Sequence, residues 1–479
     1  MSSFITTKYQ NVIDGKFQLS PSMHKIFITP NSNTKTVRDF LSRDLLRTDL
    51  GTEVGSINYV KGSLKYFIKT KALQSHTYLP LFSNESVESI HPASFINHNL
   101  RKGDIIISKD SNIGEVIILD KDYPNHMLSG ALYKLPIVTN KLYLLAFLKH
   151  KFFREQLDSI VPKGVTIRHA GTKFLDCKIP LPNKNIEETT KHVESLMQLI
   201  IDCEIEIQTK YTKINNLIEE ELFAGQSGSI FKYQYPTYND TIQNRRLDTG
   251  MYSEQFQRID FAIKNYRLGY YYIESSKLKS GNTPLVRHIG NEETLKYRWI
   301  TPTNCSDVGY ILIDERINML TKNNINENAM LLINRTSRGG IGEYVGIATF
   351  YDIAEHGKGH HNQGIYRVIG YENNDLIFMT CFMNSQIMRK YCSSICVGSK
   401  MKEIKLNQFL NIPFPRFKED TKTQVIKLFM NDVEISDFND LLNISKSLSN
   451  IGVYKLHSLL VILKSQLDKR LNAIVNDIC

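Results

Sequence analysis

Two short polar loops carry the residue types that could contact a polyanion. They are Lys109-Asp110-Ser111-Asn112-Ile113-Gly114 and Arg335-Thr336-Ser337-Arg338-Gly339-Gly340-Ile341-Gly342, each set between two apolar runs. Lys and Arg bind phosphate oxygens, and Arg also grips guanine through two hydrogen bonds in the major groove. Ser, Thr and Asn add adaptable hydrogen bonds. A second basic stretch follows in each half: Lys163-Gly164-Val165-Thr166-Ile167-Arg168-His169, and Gly398-Ser399-Lys400-Met401-Lys402-Glu403-Ile404-Lys405. The candidate nucleic-acid contacts are therefore Lys109, Ser111, Asn112, Lys163, Thr166, Arg168, His169, Arg335, Ser337, Arg338, Lys400 and Lys402. Taken alone, the loop between the apolar runs reads more readily as a polar hairpin turn with its charges in water. The recurrence of both loops in both halves is what points to DNA.

Other chemistry is hard to find in the chain. There is no Asn-Pro-Pro-aromatic tetrapeptide for gripping a flipped base, no GxxxxGK[ST] phosphate loop and no nuclease-like Pro-Asp … Glu-x-Lys set. His356, His360 and His361 lie near Cys381, Cys392 and Cys396 in sequence, but the spacing matches no zinc pattern. His361-Asn362-Gln363-Gly364 aligns roughly with His126-Met127-Leu128-Ser129-Gly130, so a structural or DNA-facing turn is the expectation there and metal is not. Seven scattered cysteines fit reduced thiols in a cytoplasm. No apolar run reaches the roughly 18 residues of a membrane span, and MSSFITTKYQ lacks the pattern of a secretion signal.

The elements that must hold these loops repeat. Residues 103–120 (GDIIISKDSNIGEVIILD) and 328–348 (NAMLLINRTSRGGIGEYVGIA) each read as strand, polar loop, Ile-Gly, strand. Strands are expected at Ile105–Ser108, Glu115–Leu119, Ala329–Asn334, Tyr344–Ala348 and Ile365–Ile369, and helices over 145–160 and 380–395. FLKHKFFREQLDSI from Phe147 matches FMNSQIMRKYCSSI from Phe382, with Arg154 and Arg389 at the same offset. Ile179-Pro180-Leu181-Pro182 and Ile412-Pro413-Phe414-Pro415 then stop each copy before a long helical pattern. The chain reads as two copies of one α+β module, each followed by a helix.

Both helices show heptad-like seams. In residues 185–221, Val193, Ile200, Ile207 and Ile214 are seven apart, and Leu196 opens a second row with Cys203, Lys210 and Leu217. The C-terminal helix repeats the pattern with Val453, Leu460, Leu467 and Ile474, flanked by Leu456, Leu463, Leu471 and Ile478. The net charge is +10, yet 185–221 carries nine acidic residues and three lysines, while 453–478 is net positive. An acidic and a basic helix of similar seam are expected to pair antiparallel into a bar, with the basic remainder available to a polyanion. Two amphipathic helices, each packed on its own module, is the alternative. Residues 432–450 have no counterpart in the first half and read as a shorter helix and turn.

Taken in order, GDIIIS…IGEV, Lys163-Gly164-Val165-Thr166-Ile167, Ile179-Pro180-Leu181-Pro182 and a heptad helix resemble the specificity subunit of type I restriction–modification enzymes. Gly398-Ser399-Lys400-Met401-Lys402, Ile412-Pro413-Phe414-Pro415 and the last helix resemble it again, and Arg246-Leu247-Asp248-Thr249-Gly250-Met251-Tyr252-Ser253 looks like the opening of a family module. Residues 1–90 show no clear match. The resemblance implies two target-recognition domains (1–184 and 224–418), a central helix (185–223) and a C-terminal helical region (419–479). Each domain would read half of a split DNA target. The paired helices, with Val193, Leu196, Ile200, Ile207, Ile214, Val453, Leu460, Leu467, Leu471 and Ile474 at their seam, would dock two adenine methyltransferase subunits. A nuclease–translocase subunit would complete the enzyme. S-adenosylmethionine, ATP and magnesium would belong to those partners, and this chain would not be catalytic. The alternatives are the recognition subunit of a related two-subunit type II enzyme, a protein scaffold, and an enzyme with an unrecognised site.

Overall fold

The computed structural model describes residues 30–83, 86–161, 170–247, 249–285, 287–290, 295–306, 308–312, 315–320, 324–335, 345–398 and 401–478. The chain divides into two compact units. The first comprises Met1–Ile205, Asp437–Lys446 and Leu460–Cys479, and the second Glu206–Ser436 and Ser447–Leu459. Both are α+β.

Among the described residues the first unit holds three small sheets. Thr34–Thr36 pairs with Lys178–Pro180. Tyr66–Ile68 lies between Val87–Ser89 and His126–Leu128. Ile105–Ser108 lies between Val116–Ile118 and Leu132–Leu135. Ile68, Leu73, Ile106, Ile117, Leu128 and Leu132 form its core. The second unit repeats this plan. Tyr270–Tyr271 pairs with Phe414–Pro415. One four-stranded sheet runs Ile289–Gly290, Arg316–Ile317, Tyr297–Ile300, Gly359–His361, and the other Leu278–Ser280, Ile365–Val368, Ala329–Ile333, Ala348–Tyr351. Among the described residues each unit contains one parallel pair at the same place: Tyr66–Ile68 with His126–Leu128, and Tyr297–Ile300 with Gly359–His361. These ladders set His126 against Gly359 rather than against His361, which corrects the rough sequence alignment.

Each expected helix over 145–160 and 380–395 is two helices. Lys141–Lys149 and Lys151–Ile160 break at His150, and Asn373–Asn384 and Gln386–Ile395 break at Ser385. The two breaks fall at equivalent positions of the repeat. His150 and Ser385 are extended residues whose side chains accept from Phe152 N (3.3 Å) and Met388 N (3.4 Å), so each caps the helix that follows. Each cap satisfies an amide that the break orphans and that one continuous helix would not have left open.

The central helix, Ile186–Ala224, is 39 residues long, about 58 Å at 1.5 Å per residue. It stops at Gly225, where a Cβ would lie 2.2 Å from the Tyr266 ring. The C-terminal helix is Val453–Val475, so Ile478, expected in its seam, lies beyond it and is exposed. Within the first unit the two helices run antiparallel, marked by Asn183 Nδ2 donating to Asp477 Oδ1 (2.7 Å), Arg470 Nη2 to Thr189 Oγ1 (3.1 Å) and Lys464 Nζ to Glu204 Oε1 (2.8 Å).

Residues 432–450 are an excursion. The helix Glu419–Met430 ends at Asn431, and Gly452 N donates back to Asn431 O at 2.6 Å, just before the C-terminal helix starts. Leu441–Ser447 is a short helix within the excursion. The second copy of the long helix is therefore one helix interrupted by an insertion whose ends meet.

Candidate nucleic-acid interface

In the first unit, Ile105–Ser108 leads into the loop and Val116–Ile118 leads out. Gly114 N donates to Ser108 O (2.8 Å) and Ser108 N to Glu115 O (2.8 Å), closing the turn. Ser111 and Gly114 both take positive φ, +59° and +73°. A Cβ on Gly114 would lie 2.3 Å from Leu157 Cδ2 and 2.8 Å from Arg154 Nη1, so only glycine lets the turn sit this close to the helix Lys151–Ile160. Arg154 braces it from below, donating to Ile113 O (2.8 Å) and pairing with Glu115. Glu115 also faces Lys149 at 3.5 Å. Lys149 is enclosed, and burial pushes its ammonium down to about 8 while Glu115 and Glu204 oppose the fall.

The second unit builds the same turn from other residues. Gly346 N donates to Ile333 O (2.7 Å), and Ile333 N to Ile347 O (2.8 Å). Gly346 takes φ +87°, and its Cβ would lie 2.4 Å from Cys392 Sγ; Cys392 is the repeat equivalent of Leu157. The structural partner of Ile113-Gly114 is therefore Val345-Gly346, not Ile341-Gly342. The strand expected at Tyr344–Ala348 is accordingly Ala348–Tyr351. Gly346 still belongs to the turn, and the ladder with Ala329–Ile333 begins only at Leu332↔Ala348. The loop in this copy is longer, and the extra residues made the earlier Ile-Gly look like the match.

In the second copy the two basic stretches meet, and in the first the residue that follows the second stretch bonds the first loop. Ala170 N donates to Lys109 O at 2.8 Å, and Ile404 N donates to Asn334 O at 2.7 Å, an equivalent bond in each unit. Arg335 forms a backbone bridge with Glu403, which in turn bridges Val397. Arg335 and Lys402 are both half-buried, and Lys402 is the chain neighbour of Glu403, which stands opposite Arg335. In the first unit Ser111 is exposed and Asn112 half-buried, while Lys109 pairs with Asp110 and shows 19% of its side chain. Lys163, Thr166, Arg168, His169, Ser337, Arg338 and Lys400 lie outside the described residues.

All ten seam residues are buried: Val193, Leu196, Ile200, Ile207, Ile214, Val453, Leu460, Leu467, Leu471 and Ile474. They are used by the chain's own packing, leaving the outer helix faces for any partner. Charge and hydrogen bonds also fasten the two helices to the module within the first unit, which the expected pairing of an acidic with a basic helix did not include. Glu204 accepts from Tyr78 N (2.8 Å), Leu79 N (3.2 Å) and Lys464 Nζ, and His150 Nε2 lies 3.3 Å from Asp468 Oδ1. The available signal was a set of charged residues close to the apolar rows. His360 and His361 are fully buried, and burial pushes His361 down to about 3. Among the described residues no three His, Cys, Asp or Glu side chains come together as metal ligands, and no helix is long and apolar enough to cross a membrane.

Comparison with known proteins bears on this arrangement. Residues 53–217 match the family of the type I restriction modification DNA specificity domain. No curated protein matches. Among solved structures, the S subunit of a type I restriction-modification system from M. genitalium is similar at 14% identity and a TM-score of 0.40, over 93% of this chain and 98% of that one. The HsdS subunit from Thermoanaerobacter tengcongensis is similar at 11% identity and a TM-score of 0.27, over 93% and 97%. A chain from a study of complex assembly and conformational transition in the type I R-M system gives 12% identity and a TM-score of 0.29, over 95% and 100%.

Proposed function

We propose that this chain, which carries a type I restriction modification DNA specificity domain over residues 53–217, is the non-catalytic DNA-recognition subunit of a restriction–modification complex. The observation that carries the reading is the framework of the basic loop, built twice on equivalent backbone bonds at Ser108–Gly114 and Ile333–Gly346. Two copies of one reading module suit a split target, one half to each unit. The helices, with their seams turned inward, would offer outer faces to two adenine-N6 methyltransferase subunits. A nuclease–translocase subunit would join these, and S-adenosylmethionine, ATP and magnesium would be held by the partners. In a two-subunit relative, cleavage would be fused to the methyltransferase, with this chain's part unchanged.

The test is a methylome. The chain is expressed with its neighbouring methyltransferase in a methylation-free host, and methyladenine is mapped by single-molecule sequencing. The expected result is a split motif with a fixed gap, lost when this chain is omitted. Alone, the chain should bind duplex DNA weakly and lose affinity steeply with salt. No new methylation from soluble, associated proteins, together with no DNA binding at low salt, would favour a scaffold.

A further inference from the structure

In the second unit, the strand Ile365–Val368 sends Ile365 and Arg367 to one face, because side chains alternate along a strand. Ile365 packs with Ile300, Leu331 and Tyr351, so that face is the interior between the two four-stranded sheets. Arg367 is 6% exposed there, and its Nε and Nη1 have no hydrogen-bond partner. Its register neighbour on the edge strand Leu278–Ser280 is Lys279, which is half-buried. On its other side stands Leu331. The acid whose field reaches Arg367 is Glu327, which is exposed. His361 lies near enough to be disfavoured as a cation by Arg367, and its Nε2 is buried with no partner. Like charges directly opposite on neighbouring strands repel, and a buried guanidinium without a counter-charge is strongly disfavoured.

The first unit shows what this position ordinarily needs. Tyr133 pairs with Ile107 as Tyr366 pairs with Leu332, so Lys134 is the equivalent of Arg367. Lys134 Nζ donates to His98 O (3.1 Å) and Asn99 O (3.2 Å) and lies 3.7 Å from Asp104. The bridge Leu50↔Tyr133 sets Asp49 opposite Lys134, whose charge helps keep the Asp49 carboxyl below its ordinary range after Arg43 and Leu46 N. In the second unit Lys279 stands for Asp49 and Ala329 for Asp104. Both acids are gone and a cation has been added.

We propose that Arg367 and Lys279 form an oxyanion site, entered past the edge strand Leu278–Ser280, that takes a phosphate group. The phosphate is either free or part of a bound DNA backbone; the second source rests on the DNA-recognition reading, and the first does not.

The experiment compares thermal unfolding of the full chain in inorganic phosphate and in chloride at equal ionic strength, for wild type, Arg367→Met and Lys279→Asp. With free phosphate as ligand, phosphate raises the wild-type midpoint by several degrees and saturably, and neither variant responds. In chloride both variants should equal or exceed wild type, since one removes the uncompensated charge and the other restores the acid of the first unit. With backbone phosphate as ligand, free phosphate gives no specific shift, but the salt slope of duplex binding falls by about one in Lys279→Asp. Equal phosphate response in all three proteins, or no response together with an unchanged salt slope, overturns the site. A fall in stability of both variants in chloride overturns it as well, since the two cations would then be structural. If no form of the chain binds DNA, the DNA reading fails and the phosphate arm still decides the site.

Discussion

Beneath its loop the first unit buries Glu115 against Lys149 and Arg154, whereas the second has Ile347 and Asn384 at the first two of these places. Asn384 binds the backbone instead, accepting from Ala348 N (2.9 Å) and donating to Ala348 O (2.8 Å). Arg389, the counterpart of Arg154, donates to Asn384 O (3.1 Å) and lies over the Tyr211 ring of the central helix. Yet the turn bond, the positive-φ glycine and the capped helix break recur in both. The difference teaches that the repeat preserves backbone devices, which fix the loop's path, while the polar interior is free to change. Ion pair, amide and unpaired cation are alternative ways to fill one geometry.

The comparison breaks most readily at the glycines. Gly114→Val and Gly346→Val each add a clash and demand a φ that β-branched residues avoid, so each should cost about 3 kcal/mol or more in chemical denaturation. Tolerance of one and not the other would show that the two turns are not equivalent. The buried lysine sharpens the contrast. Lys149 falls from 10.5 to about 8 on folding, so the unfolded chain holds more protons between those values and stability should rise with pH across that window. The cost of the buried charge is fully present below about pH 8 and is relieved by about pH 10.5. Lys149→Met should remove this rise, worth up to about 3 kcal/mol, and the second unit, with Asn384 there, supplies none of it. An identical pH profile in wild type and variant would separate Lys149 from the effect. The smallest effect is at the helix breaks. Ser385→Ala should cost about 1 kcal/mol in thermal unfolding. His150→Ala should cost at least as much, because it also removes the approach to Asp468. A negligible loss at both would mean the break is set by packing and not by the cap.

Much of this was readable from residue patterns because the repeat tests every local reading twice. The strand Ile105–Ser108 fell where its four apolar-to-small residues placed it, and the central helix came within a few residues of its expected ends because its seam runs unbroken. The helix breaks were not readable, since His150 and Ser385 look like ordinary members of an amphipathic run and only their extended backbone sets them apart. The turn of the second unit was misread because a longer loop offered Ile341-Gly342 before Val345-Gly346, and sequence cannot say which glycine meets Cys392. The excursion 432–450 read as a shorter helix and turn, and Leu441–Ser447 is such a helix; that its ends meet at Asn431 and Gly452 is a fact of three dimensions. Of the candidate contact residues, Lys109 looked free in sequence but is engaged by Asp110, a pairing that adjacency permits and does not require.

Asn31 Nδ2 donates to Ile474 O at 2.7 Å, across 443 residues of chain, and the first unit includes Leu460–Cys479. During synthesis the first segment of this unit therefore emerges before the second unit, and its last segment only after it. Until the final segment arrives, Val193, Leu196 and Ile200 wait without their cover, and closing so long a loop is slow as well as late. A chain cut short before Leu460 would thus damage the unit whose synthesis began before the other's.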